Sequence, residues 1–174
     1  MVRRWSSRVL LGTGLLLVLL QFVPYGRQHT NPPVRQEPAW NAPRTRELSV
    51  RACYACHSNQ TEWPWYSNVA PASWLVQRDV DLGRRKLNFS EFDRRQEEAD
   101  EAAEEVEKGS MPPPIFLPLH PEAVLSAAER AELAAGLGAT LGRGGGDRNS
   151  QRQGRGDAAP VTPELADATG VLGH

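Results

Sequence analysis

At 174 residues the chain has room for one domain of about 100–150 residues plus tails. Apolar residues make up 40 %, but many fall in one run near the start, so the expected core is small. The net charge of −1, without a basic face or stripe, argues against a nucleic-acid partner.

The first segment, "MVRRWSSRVLLGTGLLLVLLQFVPYGR", sets Arg3, Arg4 and Arg8 before about fifteen apolar or small residues, Val9 to Val23. A basic flank followed by such a run is the layout of an export signal. No small-residue cleavage site follows, and Trp5 and Tyr25 fall where interfacial aromatics sit. Residues 1–25 are therefore expected to form an uncleaved signal-anchor that spans the cytoplasmic membrane, with everything after Tyr25 facing outward. Residues 26–43, "GRQHTNPPVRQEPAWNAP", carry four prolines and little apolar periodicity, and read as an extended tether.

Residues 44–141 read as helices joined by loops, with no convincing strand alternation, so the domain is expected to be all-α. A short first helix in "TRELSVRACYAC" takes Thr45 as its N-cap and sets Leu48, Ala52 and Ala55 along one face. At its end Cys53, Cys56 and His57 form C-x-x-C-H, the attachment signature of c-type haem. Two thiols three positions apart can add to the two vinyl groups of one porphyrin, which pins the adjacent imidazole to the iron as proximal ligand.

Three other readings of that motif compete. A redox C-x-x-C wants a thioredoxin-like βαβ setting, which the flanks lack. A structural zinc site wants four ligands, and only His29, His120 and His174 remain. A Cys53–Cys56 disulfide closes too small a loop to stabilise much.

After the motif come Trp63, Trp65, Tyr66 and Trp74, large aromatics suited to a core. An indole N–H or phenol O–H beside a haem propionate would anchor the group, which makes Trp65 and Tyr66 pocket candidates. "PASWLVQRDVDLGRR" predicts a helix that starts near Pro71 and ends at Gly83. "NFSEFDRRQEEADEAAEEVEKGSM" predicts a long acidic helix that starts at Ser90, with Asp93 completing a capping box, and runs to Lys108 and Gly109. Asn88 and Phe89 are placed on the distal side of the pocket.

In "KGSMPPPIF", Met111 is the only methionine besides Met1, on a loop stiffened by prolines. It is the expected sixth iron ligand, with His120 in "LPLHPEA" the rival and an open site the third possibility. Met/His ligation raises the reduction potential and favours electron transfer. The last helix is expected from a capping box of Ser126 and Glu129, with Leu133, Leu137 and Leu141 one turn apart. Residues 142–174 hold almost no large apolar side chains and are expected to be disordered.

The motifs C-x-x-C-H-S, W-P-W-Y-S, V-A-P, S-W-L, L-N-F-S and M-P-P, spread over about Pro43 to Leu141, resemble the small bacterial haem-binding domain family related to cytochromes c. The leader pattern from Pro24 to Val34 is similar too. The resemblance implies a periplasmic, membrane-tethered protein with one covalently attached haem c and a cytochrome c-like fold. By the same similarity, Pro71 is the candidate carbonyl for the second ring nitrogen of His57. The function expected is electron transfer with a redox partner protein, drawn in by the acidic helix. A haem-based sensor or small-ligand binder with a displaceable sixth ligand is the alternative. A peroxidase-like enzyme ranks last, because no distal acid–base pair is identifiable, so the chain is not expected to be an enzyme.

Overall fold

The structure, a computed structural model, describes residues 2–142, with side chains from Trp5 onward. The expected disordered tail lies, from residue 143, outside the described residues. Six α-helices occur in that range: α1 (Val2–Leu20), α2 (Pro43–Ala52), α3 (Tyr54–His57), α4 (Ala72–Lys86), α5 (Ala102–Lys108) and α6 (Ala127–Leu141). Short 3₁₀ turns join them, and the only extended pairing among the described residues is an isolated bridge between Gln36 and Glu91. The all-α class is as the sequence predicts.

Helices α2, α5 and α6 enclose the core. Leu48 and Ala52 from α2, Ala103 and Val106 from α5, and Leu133, Ala134 and Leu137 from α6 are buried together with Tyr54, Leu87 and Phe89. The start of α6 is set as its sequence predicts, since Ser126 Oγ accepts from the Glu129 N–H at 3.2 Å and a Glu129 carboxylate oxygen accepts from the Ser126 N–H at 3.0 Å. Glu129 also accepts from Arg51 at 2.7 Å, and these contacts, Arg51 foremost, hold its carboxyl down at about 2.

The start of α2 differs from expectation. Proline has no N–H to lose in a first helical turn, so Pro43 begins the helix and Ala42 takes the cap position. Thr45 is instead buried within α2, where it meets Gly136 of α6. A methyl at Gly136 would approach Thr45 Cγ2 to 2.7 Å and Cβ to 2.9 Å, so the absence of a side chain there lets the two helices cross closely. Gly136→Ala is expected to destabilise the fold by about 1–3 kcal/mol, read in urea unfolding, and Thr45→Ala in the same chain is expected to recover part of the loss.

Two helix boundaries also move. Gly83 does not end α4, which continues to Lys86. The long acidic helix does not start at Ser90: residues 87–98 form turns, and regular helix is confined to α5 after a 3₁₀ turn at Ala99–Glu101. Phe89 and Phe92 stack with their centroids 6.3 Å apart, and Asn88 Oδ1 accepts from the Ser90 N–H at 2.9 Å, closing a local turn that helix would forbid. The Ser90 hydroxyl is buried and accepts from the Asn59 N–H instead of capping.

Residues 27–42 carry no helix, as expected, but are not a free tether. The N–H groups of Arg35 and Gln36 both donate to the Ser90 carbonyl, and that of Phe92 donates to the Gln36 carbonyl. Arg35 pairs with Asp93, Asn59 donates to the Pro33 carbonyl, and Trp40 packs on Phe89 with centroids 5.3 Å apart. Upstream, the Gln21 amide donates to the Ala70 carbonyl at 2.9 Å and accepts from the Ala70 N–H at 3.0 Å, which ties the chain just after α1 to the domain.

The expected transmembrane anchor is not met. Among the described residues no helix is long and apolar enough to cross a membrane. Charge placement is the reason: Arg3, Arg4 and Arg8 occupy the first two turns of α1. The uncharged part, Val9 to Leu20, is about 18 Å long at 1.5 Å per residue, against a hydrocarbon core of roughly 30 Å.

Candidate functional site

Between α2 and α3, Cys53 (φ −122°, ψ −34°) interrupts regular helix, and the chain resumes at once as the single turn Tyr54–His57. The Cys53 carbonyl accepts from the N–H groups of both Cys56 (3.1 Å) and His57 (2.9 Å), so the two thiols and the imidazole sit on one closed turn. Both cysteines are free thiols. Burial pushes the Cys53 thiol up to about 12 and the Cys56 thiol up to about 11. A redox C-x-x-C works through a lowered thiolate pKa, so these half-buried thiols, whose pKa values are raised, have the opposite character.

The imidazole is held from both sides by the segment after α4. His57 Nδ1 donates to the Leu87 carbonyl at 3.0 Å, because a carbonyl only accepts, and the Phe89 N–H donates to the His57 carbonyl at 2.8 Å. This selects the tautomer whose Nε2 carries the lone pair, while burial lowers the pKa of the ring and keeps it neutral. The carbonyl expected from Pro71 is thus supplied by Leu87. Pro71 instead precedes α4, its preceding carbonyl occupied by Gln21.

Helix α4 approaches this turn at Gly83. A methyl there would come within 2.5 Å of the Cys56 carbonyl oxygen and 3.1 Å of Cys56 Cβ. One turn position on, Arg84 organises the loop after the motif: its guanidinium donates to the carbonyls of Ser58 and Thr30 and to the side chains of Asn31 and Thr61. It also lies 5.9 Å from the ring centre of Trp63, which stacks on His29 with centroids 4.7 Å apart.

Beside Cys56 a recess of about 50 Å³ is lined by Ala55, Tyr66, Val76, Phe116 and His120 among others. Ligand pockets commonly span roughly 300–1,000 Å³, so a porphyrin is not enclosed here without movement of the wall. That wall, residues 112–123, is built of turns and short 3₁₀ segments and exposes Ile115 and Leu119.

The structure brings together Cys53, Cys56 and His57 on one turn, and Tyr66 and His120 line the recess beside Cys56. Trp65 lies outside, 78 % exposed and edge-on to Tyr66. Met111 is 37 % exposed on the loop after α5 and does not line the recess. Asn88 and Phe89 are corrections to the expected pocket: Phe89 stacks on Tyr54 in the core, and Asn88 donates to the Asn59 side chain. Leu87, Gly83 and Phe116 escaped the sequence reading. Of these only Gly83, a glycine continued by helix formers, carried a signal of close packing.

The donor set suits an iron porphyrin. Two unpaired thiols lie three residues apart on one turn, and the next residue is a neutral imidazole with its second nitrogen already occupied. Comparison with curated proteins and with solved structures finds no match. A family model described as a haem-binding domain matches residues 15–139, more than two thirds of the chain and the whole of this site. The chain therefore belongs to the haem-binding domain family.

Proposed function

We propose that this protein is an exported single-haem c-type cytochrome that carries electrons at the outer face of the cytoplasmic membrane. The observation that carries the reading is the Cys53–His57 turn, with two free thiols and an imidazole whose Nδ1 is tied to the Leu87 carbonyl. Cys53 and Cys56 would hold the porphyrin through thioether links, and His57 Nε2 would hold the iron. Once bound, the haem supplies a reversible one-electron couple.

The chain's own part is to position and tune. The Leu87 carbonyl fixes the orientation of His57 and raises its basicity as a ligand. Gly83 lets α4 close over the attachment turn. The acidic stretch from Glu97 to Glu105 would supply a negative field to guide a basic redox partner, an attraction that weakens with salt. Export and membrane association fall to α1, whose arginines precede an exposed apolar run.

Mass spectrometry of protein matured in an exporting host with haem-attachment machinery tests this. The parent is expected to carry the mass of one haem that resists acidified organic solvent, and Cys53→Ser/Cys56→Ser to carry none. Extraction of the pigment from the parent would end the c-type reading.

A further inference from the structure

We propose that the domain face beside the end of α1, where Trp65 and Val69 are exposed, seats on the surface of an anionic lipid bilayer and holds the domain flush against the membrane; this rests on the membrane association given to α1 above. The chain's two longest runs without Asp, Glu, Lys or Arg are residues 9–26 and 63–77. The structure docks one on the other. Gln21, the first residue past α1, holds Ala70 by two hydrogen bonds, of 2.9 and 3.0 Å. Gly26, at φ +79°, lies so close to α4 that a methyl on it would clash with the Ser73 carbonyl. His29 Nε2 donates to the Ser67 carbonyl at 3.0 Å. A domain clamped at these points has no slack, so Trp65 and Val69, at the two ends of the turn that bears Ser67, follow wherever the end of α1 goes.

Beyond α1, Phe22, Tyr25, Trp65, Val69 and Leu75 are all exposed within these two runs. Single exposed apolar side chains are ordinary on a surface, whereas a set gathered on uncharged, mutually docked segments marks an interaction site. Lipid suits this one better than a protein groove. Leu15, Leu16, Leu17, Val18 and Leu19 are successive and all exposed, and at about 100° per residue they point round the whole of α1. A groove covers one side of a helix, and lipid covers every side. The roughly 18 Å of uncharged helix reaches through one leaflet of a roughly 30 Å hydrocarbon core. Arg8 and Arg27 bracket the uncharged run, and Arg27 donates to Gln21 at 3.3 Å, which sets its cation at the level of the clamp. Anionic headgroups attract cations in that position. Tryptophan and tyrosine gather at the headgroup level, which suits Trp65 and Tyr25.

Photolabelling of the matured full chain tests the seating. The protein is reconstituted in vesicles of phosphatidylglycerol and phosphatidylethanolamine that carry a diazirine on a lipid acyl chain, and the adducts are mapped by mass spectrometry. Adducts are expected in α1 and also in residues 63–77, with none in the acidic residues 96–108. Trp65→Glu/Val69→Glu, both at exposed positions, is expected to lose most of the labelling in residues 63–77 and to keep that in α1. Adducts in α1 alone overturn the seated face and leave α1 as a plain tether, while their absence from the whole chain overturns the membrane association as well. Parent-level labelling of residues 63–77 in the double variant overturns the roles of Trp65 and Val69. Crosslinks between two copies at residues 63–77, without lipid adducts there, overturn the proposal in favour of a second copy as the occupant.

Discussion

Gly83→Ala is expected to cut the yield of haem-loaded protein several-fold and to lower the melting temperature of whatever folds. The added methyl would meet backbone atoms of the attachment turn, 2.5 Å from the Cys56 carbonyl oxygen and 3.0 Å from its carbon. Backbone cannot swing aside as the end of a long side chain can, so α4 and the turn must separate. Overpacking of this kind costs about 1–3 kcal/mol, and each kcal/mol lowers the melting temperature by roughly 4–8 °C in a domain of this size. The same movement lengthens the bond from His57 Nδ1 to Leu87, which lies at the end of α4. Haem-to-protein ratio and thermal unfolding measure the two effects. Parent-like values for both would show that the α4 contact does not govern the site.

Phe89→Ala is expected to destabilise the protein by about 3–5 kcal/mol, as large-to-small changes at buried aromatics do. Phe89 is 1 % exposed and packs against three rings, Tyr54 at 5.5 Å, Trp40 at 5.3 Å and Phe92 at 6.3 Å. Those rings come from three separate segments, so the cavity would join the extended stretch at Trp40 to the turn that bears the motif. Urea unfolding of the haem-free and haem-loaded forms should show losses of similar size. A loss confined to the loaded form would instead place Phe89 in the haem pocket, as its sequence neighbourhood implies.

The helical class and the attachment turn were legible because their signals are local. Ser126 and Glu129 meet across one turn, and Cys53, Cys56 and His57 need only one turn to converge. The acidic stretch misled because its helix formers outnumber the two aromatics that decide its path. Burial of Phe89 and Phe92 outweighs the small propensity differences of the charged residues around them.

By itself the amino-acid order determined the spacing of the thiols, the imidazole beside them and the uncharged run that starts at Val9, all properties of near neighbours. Tertiary structure alone decided that Leu87 rather than Pro71 meets His57, that Gly83 packs on Cys56, and that His120 reaches Tyr66. A backbone carbonyl looks the same at every residue, and a glycine's bare face matters only against what packs there. Such partners are chosen by how separate segments come together, which no short window of sequence records.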